Sequence, residues 1–315
     1  MIKHARVILA LRIIMYRSID IPNVDRDDRI GSAFNHLFQV VLQTENNLEK
    51  DLAWNLENAT FFHPFYLAPL AIYKQCCRKN IVCKNIPERI ESYLKLIQFE
   101  KPLLITENID LRTILRPYIS RSYIPVCKFE LCRSNVDALQ GVLQEIIYKQ
   151  SKADYRIVTP LSYFLGELID NMNEHSKGEF GYIFAQYLKK EGCIDLVLSD
   201  DGITIFGSYI KSGKYLDEIN DDEAKSLIMA TEGKSTKNLP DIENRGYGIS
   251  SSKDMLVNGL HGSFFMLSGG AFYRHDLKGS TAVKLPEAIN WNGTIILIRM
   301  PIQVPEGFSY YDYVK

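Results

Sequence analysis

Two stretches of this chain leave no room for a solvent-facing side: Cys193-Ile194-Asp195-Leu196-Val197-Leu198-Ser199, and Ile295-Ile296-Leu297-Ile298-Arg299-Met300 closed by Pro301. A strand with one wet face alternates apolar and polar residues. A run that is apolar at nearly every position belongs to a strand covered on both sides, and so to a buried sheet. Residues 181–188, 263–268 and 280–285 read as further strands, and apolar residues at helical spacing separate several of them. The chain is therefore α/β, with a mostly antiparallel mixed sheet over residues 181–300.

Composition removes several function classes. With 37 Lys+Arg against 38 Asp+Glu the net charge is -1, so there is no basic excess to hold nucleic acid by charge. The 46% apolar and 24% charged residues are those of a globular chain, and 315 residues suffice for two domains. The greasy opening, Val7 to Tyr16, is broken by Arg12 and falls far short of the roughly 20 residues a spanning helix needs. It reads as a buried strand or helix, with no small-residue cleavage site after it. Cys76, Cys77, Cys83, Cys127, Cys132 and Cys193 form no C-x-x-C pair and have no histidine partners at zinc-finger spacing. Reduced thiols, a cytoplasmic location and no membrane partner are expected.

In the first third, residues 51–56 alternate as a strand, and Pro64 opens a helical run through Phe65, Leu67, Ala68, Leu70, Ala71 and Ile72. Ile81-Val82-Cys83 and the Ile90, Tyr93, Leu94, Ile97 pattern supply another strand and helix. Residues 52–99, with the turn Asn58-Ala59-Thr60-Phe61-Phe62-His63-Pro64-Phe65, resemble the STAS domain of bacterial partner-switching regulators. Where that family carries a phosphorylatable serine this chain has His63-Pro64-Phe65-Tyr66, so the resemblance implies no phospho-switch. Tyr118-Ile119-Ser120-Arg121-Ser122 reads as a connection, dividing the chain into 1–120 and 121–315. Residues 123–131 read as a strand and 136–148 as an amphipathic helix.

Thr159 as cap and Pro160 at the first helical position predict a helix running to His175. Leu161, Phe164, Leu165, Leu168, Ile169 and Met172 share one face; Tyr163, Glu167, Asp170, Asn171 and Glu174 share the other. That polar stripe fits a solvated helix face. It also fits a site, because an acid and an amide one turn apart can hold a hydrated divalent cation and a water.

Three glycine-bearing segments follow. The strand at 193–199 runs into Asp200-Asp201-Gly202-Ile203-Thr204, where a carboxylate at a strand end can accept a hydrogen bond from an exocyclic amine; Asp-Gly is also a common turn. Asn244-Arg245-Gly246-Tyr247-Gly248-Ile249 leads into a helix, and its glycines allow backbone N–H groups near an anion; a plain loop-to-helix junction has the same pattern. Gly293-Thr294 opens the last strand. Gly233-Lys234-Ser235-Thr236 imitates the end of a P-loop, but Ile228 stands where the earlier glycine belongs and a helix, not a strand, precedes it.

In chain order, Glu167-Leu-Ile-Asp-Asn171, Asp200-Asp-Gly202, Arg245-Gly246-Tyr247-Gly248 and Gly293-Thr294 resemble the N, G1, G2 and terminal boxes of the GHKL ATP-binding family over roughly residues 123–301. The resemblance implies a two-layer α/β sandwich of the Bergerat type, its sheet covered on one face by helices, beside a smaller STAS-like α/β domain. It implies ATP and Mg²⁺ as cofactors. Asn171 matches the magnesium-binding asparagine and Glu167 the glutamate that activates water. Asp200 matches the aspartate that contacts the adenine amine, with Gly202 shaping the turn beneath the base and Thr294 supporting the aspartate. Gly246 and Gly248, with Tyr247 between them, match the lid-end backbone beside the phosphates, and Ser235, Thr236 and Lys237 fall in the lid, where the resemblance implies phosphate contacts. Two departures stand out: Thr204 replaces a second glycine, and no helix bearing a phosphoacceptor histidine is evident.

The resulting expectation is a Mg-ATP-binding protein, an ATPase whose ATP or ADP state switches contacts with a regulatory protein partner or with its own N-terminal domain. The alternatives are a serine kinase of the anti-sigma-factor type and a non-catalytic nucleotide sensor. No nucleic-acid partner is expected, and a homodimer is left open.

Overall fold

The computed structural model describes residues 16–24, 29–60, 62–106, 110–152, 155–236 and 247–313. The opening run, Val7 to Met15, lies outside them. The first elements are β1 (Arg17–Asp20), α1 (Arg29–Glu45), β2 (Asp51–Asn55), α2 (Pro64–Cys76), β3 (Asn80–Lys84) and α3 (Glu88–Leu96). The three strands pair in parallel in the order β1-β2-β3. The expected strand, helix, strand, helix succession is present as β2, α2, β3 and α3; β1 and α1 were not foreseen. His63 caps α2, its Nδ1 accepting the Phe65 N–H at 3.1 Å, so the residue at the expected STAS turn serves as a buried helix cap.

Then follow β4 (Leu103–Ile105), α4 (Leu111–Leu115), β5 (Tyr123–Glu130), α5 (Arg133–Ser151), α6 (Val158–His175), β6 (Phe180–Leu188) and β7 (Cys193–Asp200). The rest comprises α7 (Ile205–Ser212), α8 (Leu216–Ile219), α9 (Glu223–Thr231), α10 (Tyr247–Asp254), β8 (Ser263–Gly269), β9 (Ala271–Asp276), β10 (Gly279–Lys284) and β11 (Trp291–Pro301). These strands form one eight-stranded mixed sheet, β10-β9-β8-β11-β7-β6-β5-β4, in which β4 and β5 are parallel. The expected boundary at residue 120 falls between those two neighbours. None of the described helices is long and apolar enough to cross a membrane.

The apolar runs are explained by cover on both faces. Along β7, Ile194, Leu196 and Leu198 join one core with α5 and α6, while Val197 joins the other with α1 and α2. Along β11, Ile296, Ile298 and Met300 face the first core and Ile295 and Leu297 the second. In β5 the alternation changes phase between Ile124 and Cys127, where a register irregularity puts Val126 on the N-terminal side and Cys127 and Phe129 on the helical side. The sequence reading covers one face of this sheet with helices; in the structure α1 and α2 cover the other face as well, their Phe34 and Phe65 packing on each other and on Phe265 of β8, with Phe34 also on Phe272 of β9. Strands β4 and β9 were not expected, and the strand read at residues 123–131 is present as β5, which joins this sheet although the expected sheet began at residue 181.

One buried ion pair ties the layers. Arg299 on β11 and Asp195 on β7 are register partners, joined by Nε–Oδ1 at 2.7 Å and Nη2–Oδ2 at 2.8 Å. Arg299 Nη2 also lies 2.9 Å from His63 Nε2, and Nη1 lies 3.1 Å from Glu191 Oε2. Burial pulls the Asp195 carboxyl up and the guanidinium holds it down; the doubly hydrogen-bonded pair stays ionised at neutral pH.

Candidate functional site

The helix carrying the polar stripe starts at Val158, two residues before the Pro160 start that a Thr159 cap implies. A short 3₁₀ turn, Tyr155–Ile157, leads straight into Val158, so Thr159 lies inside α6 and does not cap it. The stripe is as expected: Leu161, Phe164, Leu165, Leu168 and Ile169 are buried, and Tyr163, Glu167, Asp170 and Asn171 are half-buried. Glu174 is among the residues whose side chains are not described.

Helix α10 packs on that stripe at Gly248. A Cβ on this glycine would lie 2.3 Å from Glu167 Oε2 and 3.4 Å from Asn171 Nδ2, so its bare backbone is what admits the carboxylate. Thus two of the sequence segments meet side chain to backbone, Glu167 and Gly248 being 81 residues apart. Lys237 and Gly246 lie outside the described residues, as does the side chain of Tyr247.

The second convergence surrounds Asp200 at the end of β7. Its Oδ1 accepts the Gly202 N–H at 3.0 Å, and the Thr294 N–H also donates to the carboxylate. Gly293, at φ +72°, passes so close that a Cβ would sit 2.3 Å from the Asp200 carbonyl oxygen and 2.6 Å from Oδ1. Burial pushes the Asp200 carboxyl up to about 7; the Gly202 N–H opposes this, the Asp201 charge adds to it and the Thr294 N–H opposes it again. Asp201 serves the backbone instead, its Oδ1 accepting the N–H groups of Glu179 and Phe180, each at 3.0 Å, which fixes the start of β6.

The Asp200 turn also abuts the end of α6. A Cβ on Gly202 would meet Ser176 O at 2.0 Å, and one on Gly178 would meet Asp201 Oδ1 at 2.5 Å. Ser176 follows Asn171 by five residues, about 7.5 Å of helical rise, so the last turns of α6 link the two convergences.

Ser268, which sequence reasoning passed over, knits the floor beneath Asp200. Its hydroxyl donates to Gly293 O at 2.8 Å and accepts the Ile205 N–H at 2.9 Å. The Thr294 hydroxyl, 3.1 Å away, then donates to it, since the serine proton is committed. A serine in an apolar strand carries no signal before its partners are known. Thr204 has a structural explanation as well: it caps α7, its Oγ1 accepting the Gly207 N–H at 2.9 Å.

The start of the expected lid rests on α7. Thr236 Oγ1 lies 3.0 Å from Ser208 Oγ, Tyr209 OH donates to Lys234 O at 2.5 Å, and Lys234 pairs with Glu218. Ser235 is half-buried beside them. Among the described residues no group of three or more His, Cys, Asp or Glu is arranged to hold a metal. All six cysteines are free, and burial raises the pKa of Cys76, Cys77, Cys83, Cys127 and Cys193. No family model, curated protein or solved structure matches the chain.

Proposed function

We propose that the chain binds Mg-ATP between α6, the end of β7 and the start of α10, and hydrolyses it, as a GHKL-type protein. The observation that carries this reading is the fit of Gly248 against Glu167 and Asn171. A second support is a buried carboxylate, Asp200, held by the N–H groups of Gly202 and Thr294, whose turn meets Ser176 just past the end of α6. In this reading Asp200 accepts a hydrogen bond from the purine amine, and Gly293 and Ser268 keep its carboxylate in place.

Asn171 would offer one amide oxygen to Mg²⁺, an ion that is usually held by few protein groups together with phosphate oxygens and water. The ion would screen the phosphate charge. Glu167 then orients or deprotonates the attacking water, and the backbone at Gly248 supplies N–H donors beside the phosphates. The nucleotide state is read out through the α10 contact with α6, to a regulatory protein partner or through the sheet to the STAS-like layer.

Calorimetry with ATP and ADP, with and without Mg²⁺, on wild type and Asp200→Ala tests the pocket and the metal together. Magnesium-dependent binding that the substitution abolishes is expected, and wild-type protein that takes up no heat with either nucleotide defeats the reading. Phosphate release lost in Glu167→Ala separates hydrolysis from sensing, and label transferred from γ-labelled ATP to a protein serine marks the kinase instead.

A further inference from the structure

After β11 the chain returns across the helical face. Helix α10 ends in a single π-helical turn, Met255–Gly259, a local geometry found often at functional sites. At Gly259 an added Cβ would meet Phe308 Cε2 at 2.8 Å and Tyr313 Cε2 at 2.9 Å, so both rings sit on bare backbone there. The two rings stack with centroids 5.9 Å apart and planes at 18°. Two residues past Phe308, Tyr310 meets Tyr163 of α6 edge to face, at 6.0 Å and 78°. Tyr163 is in turn hydrogen-bonded to the side chain of Ser251 on α10.

One short segment therefore touches α10 at its far end and α6 at Tyr163. Tyr163, Glu167 and Asn171 follow one another at four-residue spacing, on one stripe of α6. Glu167 lies near both phenols: after burial, its charge is the next contribution raising Tyr163, to about 12, and Tyr310. Both phenols stay protonated and uncharged at neutral pH.

We propose that residues 305–313 clamp α10 onto α6 and that Tyr310, acting through Tyr163, is a positioning residue for Glu167. The use of Glu167 on a nucleotide-bound water rests on the function proposed above; the clamp itself does not.

Hydrogen exchange on the full chain without nucleotide tests the clamp. Tyr310→Ala and Phe308→Ala should each speed exchange of the α10 and π-turn amides at least tenfold, with α2 amides on the opposite face unchanged and Tyr310→Phe at the wild-type rate. Wild-type protection in both alanine variants, or an equal loss in α2, overturns it. The positioning role is read from the Glu167 carboxyl ¹³C titration, whose midpoint should move in Tyr310→Ala and return in Tyr310→Phe; superimposed titrations overturn that role. With Mg-ATP, Tyr310→Ala should lower kcat about tenfold at unchanged KM. Wild type that binds no nucleotide defeats the functional reading alone, leaving exchange and titration to judge the clamp.

Discussion

Gly248 and Glu167 touch across the α6 to α10 contact with no space for a side chain between them, a Cβ on the glycine reaching to 2.3 Å of the glutamate oxygen. The obstructing atom is the far end of a flexible side chain, so the glutamate can move aside. Gly248→Ala should therefore cost less than about 1 kcal/mol of stability, partly offset by the better helix propensity of alanine. It should nevertheless weaken Mg-ATP binding or turnover at least tenfold. Urea unfolding set beside calorimetry checks both halves; equal loss in stability and function would show that the glycine serves packing alone.

Gly293 differs because what a side chain would strike there is backbone. With φ at +72° and the Asp200 carbonyl 2.3 Å from a Cβ, Gly293→Ala meets both conformational strain and a rigid clash. A loss of about 2 kcal/mol or more is expected in chemical denaturation, together with loss of nucleotide binding.

Asp200 makes both stability and binding depend on pH. Its folded-state pKa of about 7 lies above the ordinary 3.8, so the protonated form is the one the fold favours. Its contribution is fully present below pH 3.8 and is lost as pH rises through 7, on the order of 4 kcal/mol. Asp200→Asn should keep that stability and flatten the pH dependence across this window, read by urea titrations at several pH values. Binding should run the opposite way, because a purine amine needs the ionised acceptor. Adenosine, which has no titrating phosphate, should bind wild type about tenfold more tightly at pH 8 than at pH 6. The same ligand should show no such trend with the asparagine variant.

Arg299 neutralises a carboxylate that has no access to water, since Asp195 is 0% exposed. Arg299→Leu should cost about 3–5 kcal/mol, and the double change with Asp195→Leu should recover most of it. Denaturant unfolding of the two variants checks this. A double variant no better than the single one would place the energy in the contacts to His63 and Glu191.

Much of this organisation was legible in the residues. The apolar runs announced strands buried on both faces, and 3.6-residue periodicity gave α6 and its stripe because burial alone decides which side chains face the sheet. The boundaries of α6 were less legible: Thr159-Pro160 has the chemistry of a cap, but the preceding 3₁₀ turn supplies the helix start. The role of Thr204 as a cap was hidden by its position where a glycine was expected. Ser268, Tyr163 and Tyr310 act through partners 25 or more residues distant, and no local pattern marks such pairings. The cover on the second face was missed because α1 carries no motif, and because nothing within the sheet strands says which element will cover each face.

Strand β7 bears an acid toward each layer: Asp195 on the side of Val197, locked to Arg299, and Asp200 on the side of Leu196 and Leu198. Five residues of extended chain separate them, roughly 17 Å. Flanked on both sides by hydrogen-bonded neighbours, that strand can hardly stretch or bend, and it behaves as a stiff beam with one charged group near each end. A displacement imposed at the Asp200 end would reach the cap of α2 by way of Arg299 and His63 without any loop having to carry it.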